Sequence, residues 1–111
     1  MDMRKVAAHR IFLAPYKKWF SMQVVELDSS RKVVGLTSLR EEQHTTEWLG
    51  GVIVIASKSP ERMEGESFSA FCSRLCSEED TFQLTGCQAY HVTQFDVAGM
   101  NFTPASRIVR L

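Results

Sequence analysis

The sequence predicts a mainly β domain of the α+β class: a small antiparallel β-sandwich or roll with one amphipathic helix packed on it. Three observations carry this. Short runs rich in β-branched and aromatic residues recur along the chain, divided by polar turn signals. One of them, "VIVIAS" (52–57), is apolar at successive positions, as a strand covered on both faces must be. A single segment, 66–80, carries a 3.6-residue apolar period. At 111 residues the chain is expected to form one domain, residues 1–111.

"RKVAAHRIFL" (4–13) predicts a first strand, ended by Pro15. "WFSMQVVELD" (19–28) predicts a second, with Phe20, Met22 and Val24 on one face and Val25 and Leu27 on the other. "DSSR" (28–31) supplies turn chemistry, because Asp and Ser side chains satisfy nearby backbone N–H groups. "KVVGLTSL" (32–39) returns as the partner strand of a hairpin. Gly50-Gly51 predicts a turn or bulge that admits the strand at 52–57. Ser59-Pro60-Glu61 has the form of an N-cap followed by proline at the first helical position, so a helical turn is expected there. In "ESFSAFCSRLCSEED" (66–80), Phe68, Phe71, Cys72, Leu75 and Cys76 form one stripe, with serines and Arg74 opposite. "TFQLTG" (81–86) reads as a short strand or turn, and "CQAYHVTQFDV" (87–97) as a strand. "AGMNFTPAS" reads as a loop with little internal order, and "SRIVRL" (106–111) as a terminal strand.

Composition excludes some partners. Lys+Arg and Asp+Glu are 13 each, so the net charge is zero. Nucleic-acid binding rests on a basic excess, and so does attraction to an anionic membrane. Neither is expected here. The longest apolar run is far short of the roughly 18 residues of a membrane span, and "MDMRKVAAHRIFLAPYKKW" has no uninterrupted apolar core of a signal peptide. Three cysteines, an odd number, suggest reduced thiols and a cytoplasmic protein.

The candidate chemistry is sparse. There is no HxH, HExxH or CxxC pattern, and no glycine-rich phosphate loop. His44 lies among Glu41, Glu42 and Glu47, and an imidazole with carboxylates can hold a divalent cation; a solvated polar turn explains the cluster as well. His91, like His9, falls in an expected strand, where a structural histidine is the simpler reading. Cys72 and Cys76 face the apolar stripe and read as core, since cysteines four apart on a helix align poorly for a disulfide. "PYKKWF" (15–20) mixes aromatics with lysines, a pattern that can stack bases, but the neutral charge favours a loop whose aromatics anchor the next strand. No metal or other cofactor is expected.

"AAHRIF", the hairpin "VVELDSSRKVVGL", the link "TEWLGG" and the strand "VIVIAS", with "AYHVTQFDVAGMNFTPASRIVRL" at the C-terminal end, resemble the terminal segments of the amidohydrolase superfamily. In that family these segments combine into a small β-sandwich flanking the catalytic (β/α)8 barrel. The family's strand corresponding to "GGVIVIAS" runs on into an HxH metal motif and the barrel. Here Ala56-Ser57-Lys58-Ser59-Pro60 follows and one short helix stands where the barrel would be, so no metal ligand of the family has a counterpart. The resemblance implies scaffold without the site.

The expected function is therefore a non-catalytic module of a bacterial-type cytosolic protein, acting through a protein-interaction surface. Its partner would be a second copy or another protein, and Trp19, Trp48, Arg107 and Arg110 mark the surface. The alternative is a small enzyme or ligand-binding domain with its pocket between helix and sheet, using His44 or His91.

Overall fold

The structure, a computed structural model, describes residues 4–38, 46–78 and 86–111. Its elements are β1 (Arg4–Leu13), a 3-10 turn (Ala14–Tyr16), β2 (Lys18–Leu27), β3 (Val33–Ser38), β4 (Glu47–Trp48), β5 (Val52–Ala56), α1 (Phe68–Glu78), β6 (Gln88–Val92) and β7 (Ile108–Arg110). The seven strands form one sheet in the order β3-β2-β1-β5-β6-β7, with β4 also on β1. The chain is thus mostly strand, with a single helix among the described residues packed on a mixed sheet.

The pairing corrects one expectation. β1–β2, β2–β3, β5–β6 and β6–β7 are antiparallel, but β1 runs parallel to both β4 and β5. A parallel pair needs a long crossover, and the β2–β3 hairpin and the link after it supply that length. The Asp28 carboxylate makes the hairpin turn as its residue type predicts, accepting from the N–H groups of Ser30 and Lys32 at 2.9 and 3.0 Å.

The sheet curls on itself as a roll. Val33 N–H donates to the Cys87 carbonyl at 2.8 Å and Gly86 N–H to that of Val33 at 3.0 Å, so the β3 edge meets the start of β6. Inside lie Val6, Ala8, Ile11, Leu13, Val25, Leu27, Val33, Ile53, Ile55, Cys87, Ala89 and Leu111. Outside, under the helix, lie Phe12, Ala14, Val52, Val54, Ala56, Val92 and Phe102. β5 alternates between the two clusters, and all five of its residues are buried.

Strands β1 and β2 change faces along their length. Interior residues of β1 are even-numbered up to Ala8 and odd-numbered from Ile11, and the exposed pair His9–Arg10 marks the change. In β2, Phe20 packs with the interior although Val25 and Leu27 do too, and Met22 between them has φ +54°. The expectation that Phe20 shares a face with Val24 fails because this left-handed residue reverses the alternation. Along β1's other edge, Ala7 pairs Trp48 and Arg10 pairs Val52. Two residues of β1 therefore face three of the β4–β5 strand, a bulge centred on Gly50-Gly51.

The helix begins at Phe68, so the expected helical turn at Ser59-Pro60 is not formed. Ser67 Oγ accepts from Ala70 N–H at 3.2 Å, and Asn101 Oδ1 accepts from Phe68 N–H at 2.9 Å, so both cap donors are satisfied there. Phe68, Phe71, Cys72 and Leu75 are buried, as the stripe requires, and Cys76 is half-buried. The strand expected over 87–97 stops at Val92, where the chain turns through Gln94 at φ +50°. The following loop is more ordered than its composition suggests. Asp96 and Asn101 exchange backbone hydrogen bonds at 3.0 and 3.1 Å, and the Thr103 and Ser106 hydroxyls donate to the Gln94 carbonyl. Gly86 forms part of a turn, and the rest of 81–86 lies outside the described residues.

Because the stripe is core, Phe71→Ala is expected to cost about 3–5 kcal/mol and Leu75→Ala about 2–5 kcal/mol in chemical denaturation. Ser69→Ala and Ser73→Ala, on exposed positions, are expected to be nearly silent. Equal small effects at all four would show that the helix is not docked on the sheet.

Candidate functional site

A groove of about 400 Å³ runs beside α1, lined by Phe12, Trp19, Phe68, Ser69, Cys72, Ser73, Cys76 and Met100. Phe68 organises its floor. Its ring lies 5.7 Å from Trp19, 4.6 Å from Phe95 and 5.3 Å from Phe102, tilted or edge-on in each case, arrangements that aromatic quadrupoles favour. Trp19 also packs on Phe12 at 4.8 Å, yet remains 41% exposed. The lysine-flanked 3-10 turn ahead of β2 therefore delivers a tryptophan to the groove's edge rather than to the core.

On the adjoining side of the helix, Arg74 donates to both carboxylate oxygens of Glu66 at 2.9 Å. This bidentate bond, opposed by desolvation, lowers the Glu66 pKa. The pair is structural, tying the segment before the helix to its second turn. Cys72 offers little reactivity. Burial, with smaller contributions from Cys76 and Glu66, pushes the Cys72 thiol up to about 12, opposite to what a nucleophile needs.

A second polar feature is the Gly50-Gly51 bulge. Both glycines are left-handed, at φ +71° and +62°, a region closed to most side chains. Gly51 N–H donates to His9 Nδ1 at 3.0 Å, and His91 Nε2–H donates to the Gly50 carbonyl at 3.1 Å. Two imidazoles from separate strands thus take backbone groups that the bulge removes from the regular ladder. Burial lowers the His91 pKa, against raising contributions from the Gly50 carbonyl and Glu47. Trp48 meets the His9 ring edge-on at 4.9 Å and is 48% exposed.

The residues singled out from sequence fare unequally. Glu41 and His44 lie outside the described residues. Glu47 is paired with Arg4 at 3.1–3.3 Å, and His91 is bound to Gly50; His91 does not line the groove. Among the described residues, no three His, Cys, Asp or Glu side chains converge as metal ligands would. Trp19 and Trp48 are both surface tryptophans, one at the groove and one at the bulge. Arg107 is exposed, and Arg110 Nε is buried without a hydrogen-bond partner among the described residues. Sequence reasoning missed Met100 and Phe102, which the loop brings to the helix, and the pairing of His9 and His91 with the bulge. No family model, curated protein or solved structure matches the chain. No helix among the described residues is long and apolar enough to cross a membrane.

A thiol reagent is expected to label Cys76, on the half-open wall of the groove, before Cys72 and Cys87, which should react only in denaturant. Rapid labelling of native Cys72, read by mass spectrometry of its peptide, would contradict its burial.

Proposed function

We propose that this protein is a non-catalytic β module that works through a protein-interaction surface, with the groove beside α1 as its centre. The observation that carries this reading is Trp19, a half-exposed tryptophan set over an apolar groove. Tryptophan is among the residue types enriched at the energetic centres of protein interfaces. An open apolar groove with two hydroxyls and two thiols as its polar groups suits an inserted apolar side chain. Among the described residues that line it, none forms the convergent acid, base or nucleophile that a reaction would use. Zero net charge adds no long-range repulsion between copies. The three thiols, none of them in a disulfide, suit a reducing, cytosolic setting.

The resemblance to the small sandwich beside the amidohydrolase barrel supports the same reading. The N-terminal strands β1 to β5 and the C-terminal strands β6 and β7 share one sheet here, as terminal segments would in a flanking domain. A scaffold of that kind, without a barrel, has a surface to give to a partner. The groove's volume also lies within the range of small-molecule pockets. A ligand-binding role is the second reading, favoured by that volume alone, with Ser69 and Ser73 as the polar contacts.

Light scattering on the intact chain is expected to give about twice the 12.6 kDa protomer mass, or a stable complex with a second protein. Ser73→Arg, which fills the groove from an exposed position, should abolish that association without lowering stability. A monomeric mass at high concentration, with no partner recovered, would overturn the interaction reading.

A further inference from the structure

We propose that the Gly50-Gly51 bulge is a proton-operated hinge, closed while His9 Nδ1 is unprotonated and released when that nitrogen takes up a proton. The geometry sets the requirement. Gly51 N–H points at His9 Nδ1 from 3.0 Å, and an imidazole nitrogen that accepts a hydrogen bond carries no proton. Once protonated, it would confront one donor with another. The His9 ring reaches solvent, so the proton has access. The bond joins residues 42 apart in the chain, so its loss is not compensated by local structure.

What it holds is unevenly held. β4 is two exposed residues on a short ladder with β1, and its Trp48 ring leans on His9. Leu49 beside it donates to the Ala7 carbonyl at 2.8 Å and packs on the interior cluster, and β5, beyond the bulge, is buried throughout. Release at Gly51 therefore loosens the bulge and the exposed Trp48 ring, and leaves Leu49 and β5 in place. The second imidazole has a different part. His91 donates from Nε2, so a proton added at Nδ1 leaves its bond to Gly50 intact.

Among the described residues, the charges around the hinge are few. Beside His9 on β1, Arg10 donates to Ser21 Oγ on β2. From β4, Glu47 acts on His91 and pairs with Arg4. Across from His9, β2 presents Ser21, Met22 and Gln23, and β5 presents Val52 and Ile53, none of them charged. On the far side of His91, β7 presents Val109, flanked by Arg110.

The consequence, which alone rests on the interaction reading, is that acid would move Trp48 and so change the surface offered to a partner. The hinge itself is measured on the protein by itself. Amide hydrogen exchange followed by NMR at about pH 7.5 and about pH 5.5 spans the ordinary range of imidazole protonation. Protection of the Gly51 amide, whose acceptor is His9 Nδ1, is expected to fall by about tenfold or more at the lower pH relative to Val54, a reporter on the core strand. His9→Asn, whose amide oxygen can accept where Nδ1 does, should hold Gly51 protection constant, whereas His91→Gln should keep the fall. The proposal is overturned if Gly51 protection is insensitive to pH, falls equally in His9→Asn, is abolished by His91→Gln, or falls only in step with Val54.

Discussion

A line across the sheet, from Met22 through His9 to the Gly50-Gly51 bulge, which the His91 side chain reaches from β6, is the constraint on which the other features depend. Above and below it the strands pair in a constant register on the β2 side, Ala8 with Gln23 and Arg10 with Ser21. Yet the residues facing the interior switch from even to odd along β1. A period-2 strand cannot make that switch without an irregular residue. Left-handed Met22 supplies it in β2, and one extra residue at two left-handed glycines supplies it in the β4–β5 strand. The bend lets one sheet enclose an interior cluster and still offer Phe12, Val52 and Val54 to a helix outside. The backbone groups set free at the bulge would be costly if left unpaired, and His9 and His91 take two of them.

The groove follows from the same geometry. The 3-10 turn closing β1 onto β2 places Trp19 next to Phe12, and the 96–101 turn swings Met100 and Phe102 onto the helix. Arg62 lies 4.3 Å over the Phe102 ring and Arg74 5.6 Å over that of Phe71, so the charged groups nearest the aromatic cluster stack on it rather than point into the groove. Apolar walls with few polar groups can bind, but have little with which to react. That balance, rather than a motif, is the physical basis for reading the chain as a binding module.

Much of the fold was legible in the sequence because it is local. The Asp28 turn, the β2–β3 hairpin, the fully buried β5 and the helix stripe each depend on residues within about one element of one another, where side-chain period and turn chemistry are decisive. The direction in which β5 meets β1 was not legible, since alternation of apolar residues is the same in parallel and antiparallel strands. Nor was the Met22 reversal, because methionine gives no sign of a left-handed backbone. The site was less legible still. Trp19 and Trp48 could be chosen as surface candidates, but their partners Phe68 and His9 come from distant elements. His91 and Glu47 were chosen as candidate ligands, and the partners they have here, Gly50 and Arg4, lie about 40 residues away in the chain, beyond the reach of local patterns.

The change of face makes a demand on Met22 that an ordinary strand would not. Met22 is 47% exposed, so replacing it removes little packing. A non-glycine residue at φ +54° carries roughly 1–2 kcal/mol of backbone strain, which glycine relieves at some cost in chain entropy. The stability of Met22→Gly in chemical denaturation is therefore the most direct test of the account. A gain of up to about 1 kcal/mol is predicted. A loss of roughly 0.5–1 kcal/mol, the usual effect of glycine in the middle of a regular strand, would contradict it.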